Sequence, residues 1–309
     1  MTQTWKASRP KWYQSQGFRT LLFLFPTLVL LGTLFIIPIF MTVGYSMTNL
    51  TLTGSASKAF EFVGFRNFAN MFQNPKFIIA MKNTFIFLFF SAILGQMVFG
   101  FLIASMMQHK PIGFRRFAGL SVIVGWVTPE VICAICFSAF FADKGTLNTI
   151  IRALGFKPVS WLVTFPMASV IIANIWKGCA YSMMMYQAAL DNIPDELLEA
   201  ARVDGASPLT QLVRIKIPLI KNTIATNLVL ITLATLGVFS LIYTMTAGGP
   251  SNKTTTLSIL MYQEAFINYQ LGYGTAISMI ILGIGIVLSL CYLKLLQGER
   301  KPRERRRAS

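Results

Sequence analysis

Residues 190–221 contain Asp191-Asn192-Ile193-Pro194-Asp195-Glu196-Leu197-Leu198-Glu199-Ala200-Ala201-Arg202-Val203-Asp204-Gly205-Ala206-Ser207-Pro208 and run on to Arg214-Ile215-Lys216-Ile217-Pro218. Asp191, Asp195, Glu196, Glu199 and Asp204 supply five of the chain's eleven acids, and an apolar segment long enough to cross a bilayer lies on either side. Charge in that position belongs in water rather than in lipid. The local chemistry predicts a helix, a turn and a second helix. Pro194 suits a first helical turn, having no N–H to leave unpaired. Asp195 and Glu196 follow where the helix dipole favours negative charge. Asp204-Gly205 is a stop signal, because glycine tolerates the left-handed conformation that ends helices. Ser207-Pro208 restarts a helix with a capping hydroxyl and a proline behind it. Leu197, Leu198 and Ala201 give the first helix a short apolar stripe. A punctuated surface hairpin of this kind suits docking of a soluble partner; on these grounds alone an ordinary connector remains an equal reading.

Working outward, the 309 residues are 54% hydrophobic and only 12% charged, against about 25% charge in a soluble domain. The apolar residues gather into six runs, at about 21–47, 82–107, 118–142, 166–189, 222–246 and 272–296. These define an all-α polytopic membrane protein with six transmembrane helices and the hairpin between spans four and five. The short alternating segments of a membrane β-barrel are missing. The first run is too long for the apolar core of a cleaved secretory signal. The net charge of +16 follows the positive-inside rule. Segment 1–19, loop 108–117, the hairpin and the basic tail 298–309 (with Lys294) carry eighteen basic residues, and the opposite loops carry eight. Both termini and the hairpin therefore belong in the cytoplasm, with the tail against anionic lipid headgroups. No aromatic-interleaved basic patch points to nucleic acid.

Several chemistries lack their residues. No glycine-rich phosphate loop is present, and no nucleophile–base pair or metal-ligand cluster. Cys133 and Cys136 form a C-x-x-C, but they lie one turn apart inside a span, so they read as small packing residues. His109 sits in a short basic loop. The chain is not expected to be an enzyme. Two charges stand inside spans, Glu130 and Lys177, where an unpaired charge costs about 2.5–3.5 kcal/mol. Matching depth on consecutive spans invites pairing, directly or across a water-filled cavity. Either the two form a structural ion pair, or Glu130 accepts hydrogen bonds from cargo hydroxyls with Trp176 as a stacking face.

Glu199-Ala200-Ala201, Gly205, Ile215, Ile217 and Pro218 stand in the register E-A-A, three residues, G, nine residues, I-x-L-P. This resembles the EAA loop of permease subunits of binding-protein-dependent ABC importers, with Ile217 in place of leucine as a volume-conserving departure. Phe62-Val63-Gly64-Phe65-Arg66-Asn67-Phe68, Asn74-Pro75-Lys76-Phe77, Asn83-Thr84, Trp176-Lys177 and the run from Gly248-Gly249-Pro250 through Thr254-Thr255-Thr256-Leu257 to Tyr262 and Phe266 resemble the sugar-transporting, maltose-type branch. Glu130 matches no pattern of that family. The resemblance implies a bacterial inner-membrane permease for a sugar or oligosaccharide. It also implies a homologous second permease, a pair of ATPase subunits that hold ATP and magnesium, and an extracytoplasmic solute-binding protein. Glu199, Ala200, Ala201, Asp204, Gly205, Ile215 and Pro218 are then the residues that couple to the ATPase. A non-sugar cargo such as a glycerol phosphodiester is the alternative within the class. A stand-alone ion-coupled transporter is the alternative outside it, although it would require inverted repeats and more intramembrane carboxylates.

Overall fold

A computed structural model describes residues 16–108 and 110–298. Residues 1–15, His109 and the tail from 299 onward lie outside the described residues, and with them most of the expected basic termini. Among the described residues the regular structure is helical apart from one antiparallel bridge, Thr48 to Phe62. In chain order the helices are α1 (Leu22–Ser46), α2 (Arg66–Gln73), α3 (Pro75–Met107), α4 (Ile112–Val127), α5 (Glu130–Phe141), α6 (Thr146–Ala153), α7 (Trp161–Thr164), α8 (Pro166–Asp191), α9 (Asp195–Val203), α10 (Pro208–Leu219), α11 (Lys221–Leu236), α12 (Ser240–Thr246), α13 (Leu257–Ile267) and α14 (Leu271–Gly298).

Helices α1 and α3 have 25 and 33 residues, and α14 is apolar over 24. At 1.5 Å per residue each exceeds the roughly 30 Å hydrocarbon core. Two further apolar stretches are bent pairs. The α4 helix meets the α5–α6 segment at 102°, and α10 meets α11 at 70°. Helix α8 is long enough at 26 residues, but it carries Ser169, Asn174, Lys177 and Ser182. The chain is thus a multi-pass helical membrane protein.

Three boundaries differ from the sequence expectation. The second span starts at Pro75, seven residues early, because the Asn74 side chain caps it by accepting from the Lys76 amide at 2.9 Å, with Pro75 in the first turn. The third is not one helix. Pro129 holds Thr128 extended (φ −60°, ψ 128°), as a residue before proline prefers, and Glu130 becomes the first residue of α5 rather than a mid-helix residue. The fifth breaks after Leu236: Gly237 caps α11 and Phe239 leaves the helical region at φ −124°. The expected loop 247–270 holds α13, whose Leu257, Ile259 and Leu260 are fully buried.

Wide π-helical turns at Gly32–Ile36 and Leu212–Lys216 precede Pro38 and Pro218. Each includes the residue four before the proline, where the ring would strike the carbonyl of a regular helix.

Helix α8 is the central post. Gly95 and Gly100 bring α3 against it so closely that an added Cβ would lie 2.2 Å from Ile175 and 2.4 Å from Ser182. Small residues do this work in lipid, where apolar side chains gain little by avoiding the solvent. One apolar cluster joins α5, α8 and α12 through Phe141, Val170, Leu241 and Ile242. A second joins α3, α8 and the hairpin through Met107, Tyr186, Leu190 and Leu198.

At the end remote from the hairpin, the motif residues make two sets of side-chain hydrogen bonds. Asn67 donates to the carbonyls of Ser46 and Thr48, both at 2.8 Å. Asn83 donates to those of Asn252 and Thr255, at 2.8 and 3.0 Å. Thr84 accepts from the Leu257 amide at 2.9 Å. Gly248 has φ +92°, and a Cβ there would lie 2.6 Å from the Thr255 hydroxyl.

Candidate functional site: a hairpin and a cavity

The hairpin forms as its punctuation dictates. Gly205 has φ +79° and ends α9. Its amide donates to the Arg202 carbonyl at 3.0 Å, and that of Ala206 donates to the Ala201 carbonyl at 2.9 Å, the paired bonds of a Schellman stop. The Ser207 hydroxyl accepts from the Thr210 amide at 3.2 Å and so caps α10, with Pro208 next. Pro194 differs from expectation: its ψ of 132° makes it the capping residue before α9, not the first helical one. The ring fixes φ and leaves ψ free.

The stripe splits by face. Leu198 and Ala201 are buried, and Leu198 packs with Ile193 and Ile220 against α3 and α8. Glu199, Ala200, Asp204, Gly205 and Pro218 are exposed, and Ile215 is half-buried against the same cluster. The outer face presents Leu197, Val203 and Leu209 at 48, 88 and 69% exposure. Burial and the nearby Arg202 lower the pKa of Lys216, whose ammonium donates to the Gln108 carbonyl oxygen at 2.6 Å. Arg115 pairs with Asp191, the one ion pair among the described residues.

Glu130 and Lys177 line one cavity of about 340 Å³ with Gln96, Trp126, Asn174 and Tyr181. They line it together, and no direct ion pair joins them. The volume is at the low end of the roughly 300–1,000 Å³ of small-molecule sites. Both helix breaks open here: Trp126 and Glu130 flank the first, and Thr235 and Val238 the second. Trp176 lies elsewhere. Successive helical residues diverge by about 100°. Its ring covers Gly125, meets Phe137 edge-on at 5.5 Å, and lines a separate aromatic cavity with Cys133 and Cys136. The aromatic rings beside Glu130 and Lys177 are those of Trp126 and Tyr181, 6.1 Å apart.

Sequence reasoning missed the amides. Gln96 and Asn174 are 3 and 5% exposed. The Gln96 amide donates to Ser91 at 3.2 Å and to Thr235 on α11 at 3.4 Å, and Asn174 donates to Ser91. Gly178 leaves room for this amide, since an added Cβ would lie 1.9 Å from the Gln96 oxygen and displace it. The available signal was glutamine and asparagine inside apolar runs, where each must find a polar partner.

Residues 96–300 match the family described as "Binding-protein-dependent transport system inner membrane component". The chain is 30% identical to the sulfoquinovosyl glycerol transport system permease protein SmoG of Agrobacterium fabrum, over 93% of this chain and 94% of the relative. It is 33% identical to the trehalose/maltose transport system permease protein MalF of Thermococcus litoralis, over 75% and 79%. A crystal structure of a bacterial ABC transporter involved in the import of the acidic polysaccharide alginate contains a chain that superposes with a TM-score of 0.78 at 25% identity, covering 91% of this chain and 95% of that one. The family match covers the cavity, the hairpin and the last span alike, and the chain belongs to the inner-membrane components of binding-protein-dependent transport systems: it is a permease subunit of an ABC importer.

Proposed function

We propose that this permease imports a carbohydrate, a sugar or oligosaccharide, into a bacterial cell through six spans, with both termini and the 190–221 hairpin in the cytoplasm. The observation that carries the reading is near full-length similarity to a permease named for a glycoside, together with a polar cavity at two helix breaks. The relatives named for trehalose and maltose and for alginate agree in class. Cargo hydroxyls would meet Glu130, Lys177, Gln96 and Asn174, with the Trp126 and Tyr181 rings for apolar sugar faces. The Trp176 ring serves packing in this reading. A stand-alone ion-coupled transporter does not fit a member of this family.

The partners follow from the same reading: a homologous second permease, an ATPase pair binding ATP and magnesium, and a solute-binding protein outside. Glu199, Ala200, Ala201, Asp204, Gly205, Ile215 and Pro218 would couple to the ATPase, with exposed Leu197, Val203 and Leu209 as apolar contacts. ATP-driven closure of the ATPase pair would shift the spans between inward- and outward-facing states by differential binding. Reconstitution with these partners tests the reading. Carbohydrate loaded on the solute-binding protein should stimulate ATP hydrolysis and enter the vesicle. A solute-binding protein that takes no carbohydrate refutes the cargo class. In cells, single cysteines at Ser57, Lys157 and Asn252 should react with an impermeant reagent from outside and one at Ser207 should not; outside labelling at Ser207 refutes the orientation.

A further inference from the structure

We propose that Gln108, just after α3, and Arg115, in the first turn of α4, form a positioning strut for the coupling hairpin. The inference rests on the reading of the hairpin as the ATPase contact. Gln108 bridges both legs of the hairpin. Its carbonyl oxygen accepts from the Lys216 ammonium on the exit leg at 2.6 Å, and its amide donates to the Leu190 carbonyl on the entry leg at 3.4 Å. Arg115, seven residues on, pairs with Asp191, which is next to Leu190. Gln108 and Arg115 therefore hold the hairpin where it leaves α8 and where it approaches α11.

The contacts are poorly suited to a purely stabilising role. The side chains of Arg115 and Asp191 are 28 and 40% exposed, and an exposed pair contributes little to stability. Lys216 donates to an uncharged amide rather than to a carboxylate, although burial and Arg202 disfavour its charge. Folding is supplied from beneath the same hairpin, by Leu198, Ile193 and Ile220 against α3 and α8. Those apolar contacts resist pulling the hairpin off the spans, but they are not directional and allow sliding along the surface. Hydrogen bonds and an ion pair at both legs are directional and fix that remaining freedom. A force on the exposed face of α9 would then reach the ends of α3 and α4 as well as α8 and α11.

The test uses the assembled transporter in vesicles and measures cargo moved per ATP hydrolysed. Gln108→Leu and Asp191→Arg should insert and assemble as the parent does. Each should lower the ratio by about threefold or more, within the range reported for residues that couple distant sites. The double variant Arg115→Asp with Asp191→Arg should restore it. An unchanged ratio in both single variants overturns the proposal, as does a fall in transport that only tracks the amount of assembled complex, or a swap that fails to restore the ratio. A cysteine at Val203 checks the underlying reading separately by cross-linking to the ATPase. If that cross-link forms and the strut variants behave as the parent, only the strut fails; without the cross-link the hairpin reading fails first.

Discussion

Replacing Gly205 tests coupling through backbone geometry alone. The residue holds φ +79°, and nothing lies within 4 Å of an added Cβ. Space is therefore not the obstacle, and the penalty is the left-handed conformation, about 1–2 kcal/mol for an L-residue and worst for a β-branched one. That strain competes with the inward anchoring of α9. Leu198 is its one fully buried large side chain, worth about 1.5–3 kcal/mol. The two are comparable, so the stop should open in part and α9 should lose its angle to α10. One to two kcal/mol shifts a local equilibrium by about 5- to 30-fold. Asparagine tolerates the left-handed region better than other L-residues, so Gly205→Asn should be mild, Gly205→Ala intermediate and Gly205→Val severe. Uptake and cargo-stimulated ATP hydrolysis should fall in that order in the assembled transporter, at unchanged amounts of inserted subunit. Equal activity along the series, or Asn as damaging as Val, refutes the reasoning.

Other positions give independent checks. Gly100→Ala would place a Cβ 2.9 and 3.0 Å from backbone atoms of Met183 and Cys179; separating the α3–α8 seam should cost about 1–3 kcal/mol, seen as a lower thermal midpoint, while Gly113→Ala, with nothing within 4 Å, should not be destabilised. Asn83→Ala removes an amide that donates to a buried carbonyl and to a half-buried one and should cost about 1–3 kcal/mol, measured as faster proteolysis within 247–256. Exchanging the charges, Glu130→Lys with Lys177→Glu, should restore expression lost in the single variants but not transport if either side chain touches cargo; recovery of both would make the pair structural.

The hairpin was legible because its signals are local. Gly205 and Ser207-Pro208 each act within one turn, and the structure has them where the sequence puts them. Pro194 was misplaced by one position for an equally local reason, since proline fixes one of two torsions. The third span's break was half legible: Pro129 marks it, yet prolines in membrane helices often only kink them, and nothing in the sequence dictates a 102° turn. The break after Leu236 was invisible, because glycine is frequent in membrane helices and Gly237 does not stand out. The cavity was legible only through its charges. Glu130 and Lys177 are conspicuous in apolar runs, whereas Gln96, Asn174, Trp126 and Tyr181 become a site only when three helices converge. Trp176 and Lys177 are neighbours in sequence yet line different cavities, because consecutive residues on a helix point about 100° apart.

The cavity and the hairpin are linked by two helices rather than by a chain of loops. Helix α11 begins beside Ile220, buried in the cluster under the hairpin. It ends one residue past Thr235, which bonds Gln96 and lines the cavity. Its 16 residues make a rod of about 24 Å. Helix α8 runs between the same places, with Lys177 and Asn174 at the cavity and Leu190 and Asp191 at the hairpin. Neither has a proline past its first turn, so neither has the usual cause of a sharp kink. The compliant points lie at the ends instead: the 70° bend at Ile220, the break at Gly237, and the α4–α5 break at Pro129. If the hairpin couples to the ATPase as proposed, its displacement would arrive at the cavity as a displacement of Thr235 and Lys177, and the breaks beside them would absorb the change in direction. Placing the polar groups at the breaks also solves a problem of solvation. The unpaired amides and carbonyls of broken helix ends cannot face lipid, and a cavity that admits water or cargo hydroxyls is where they can be satisfied.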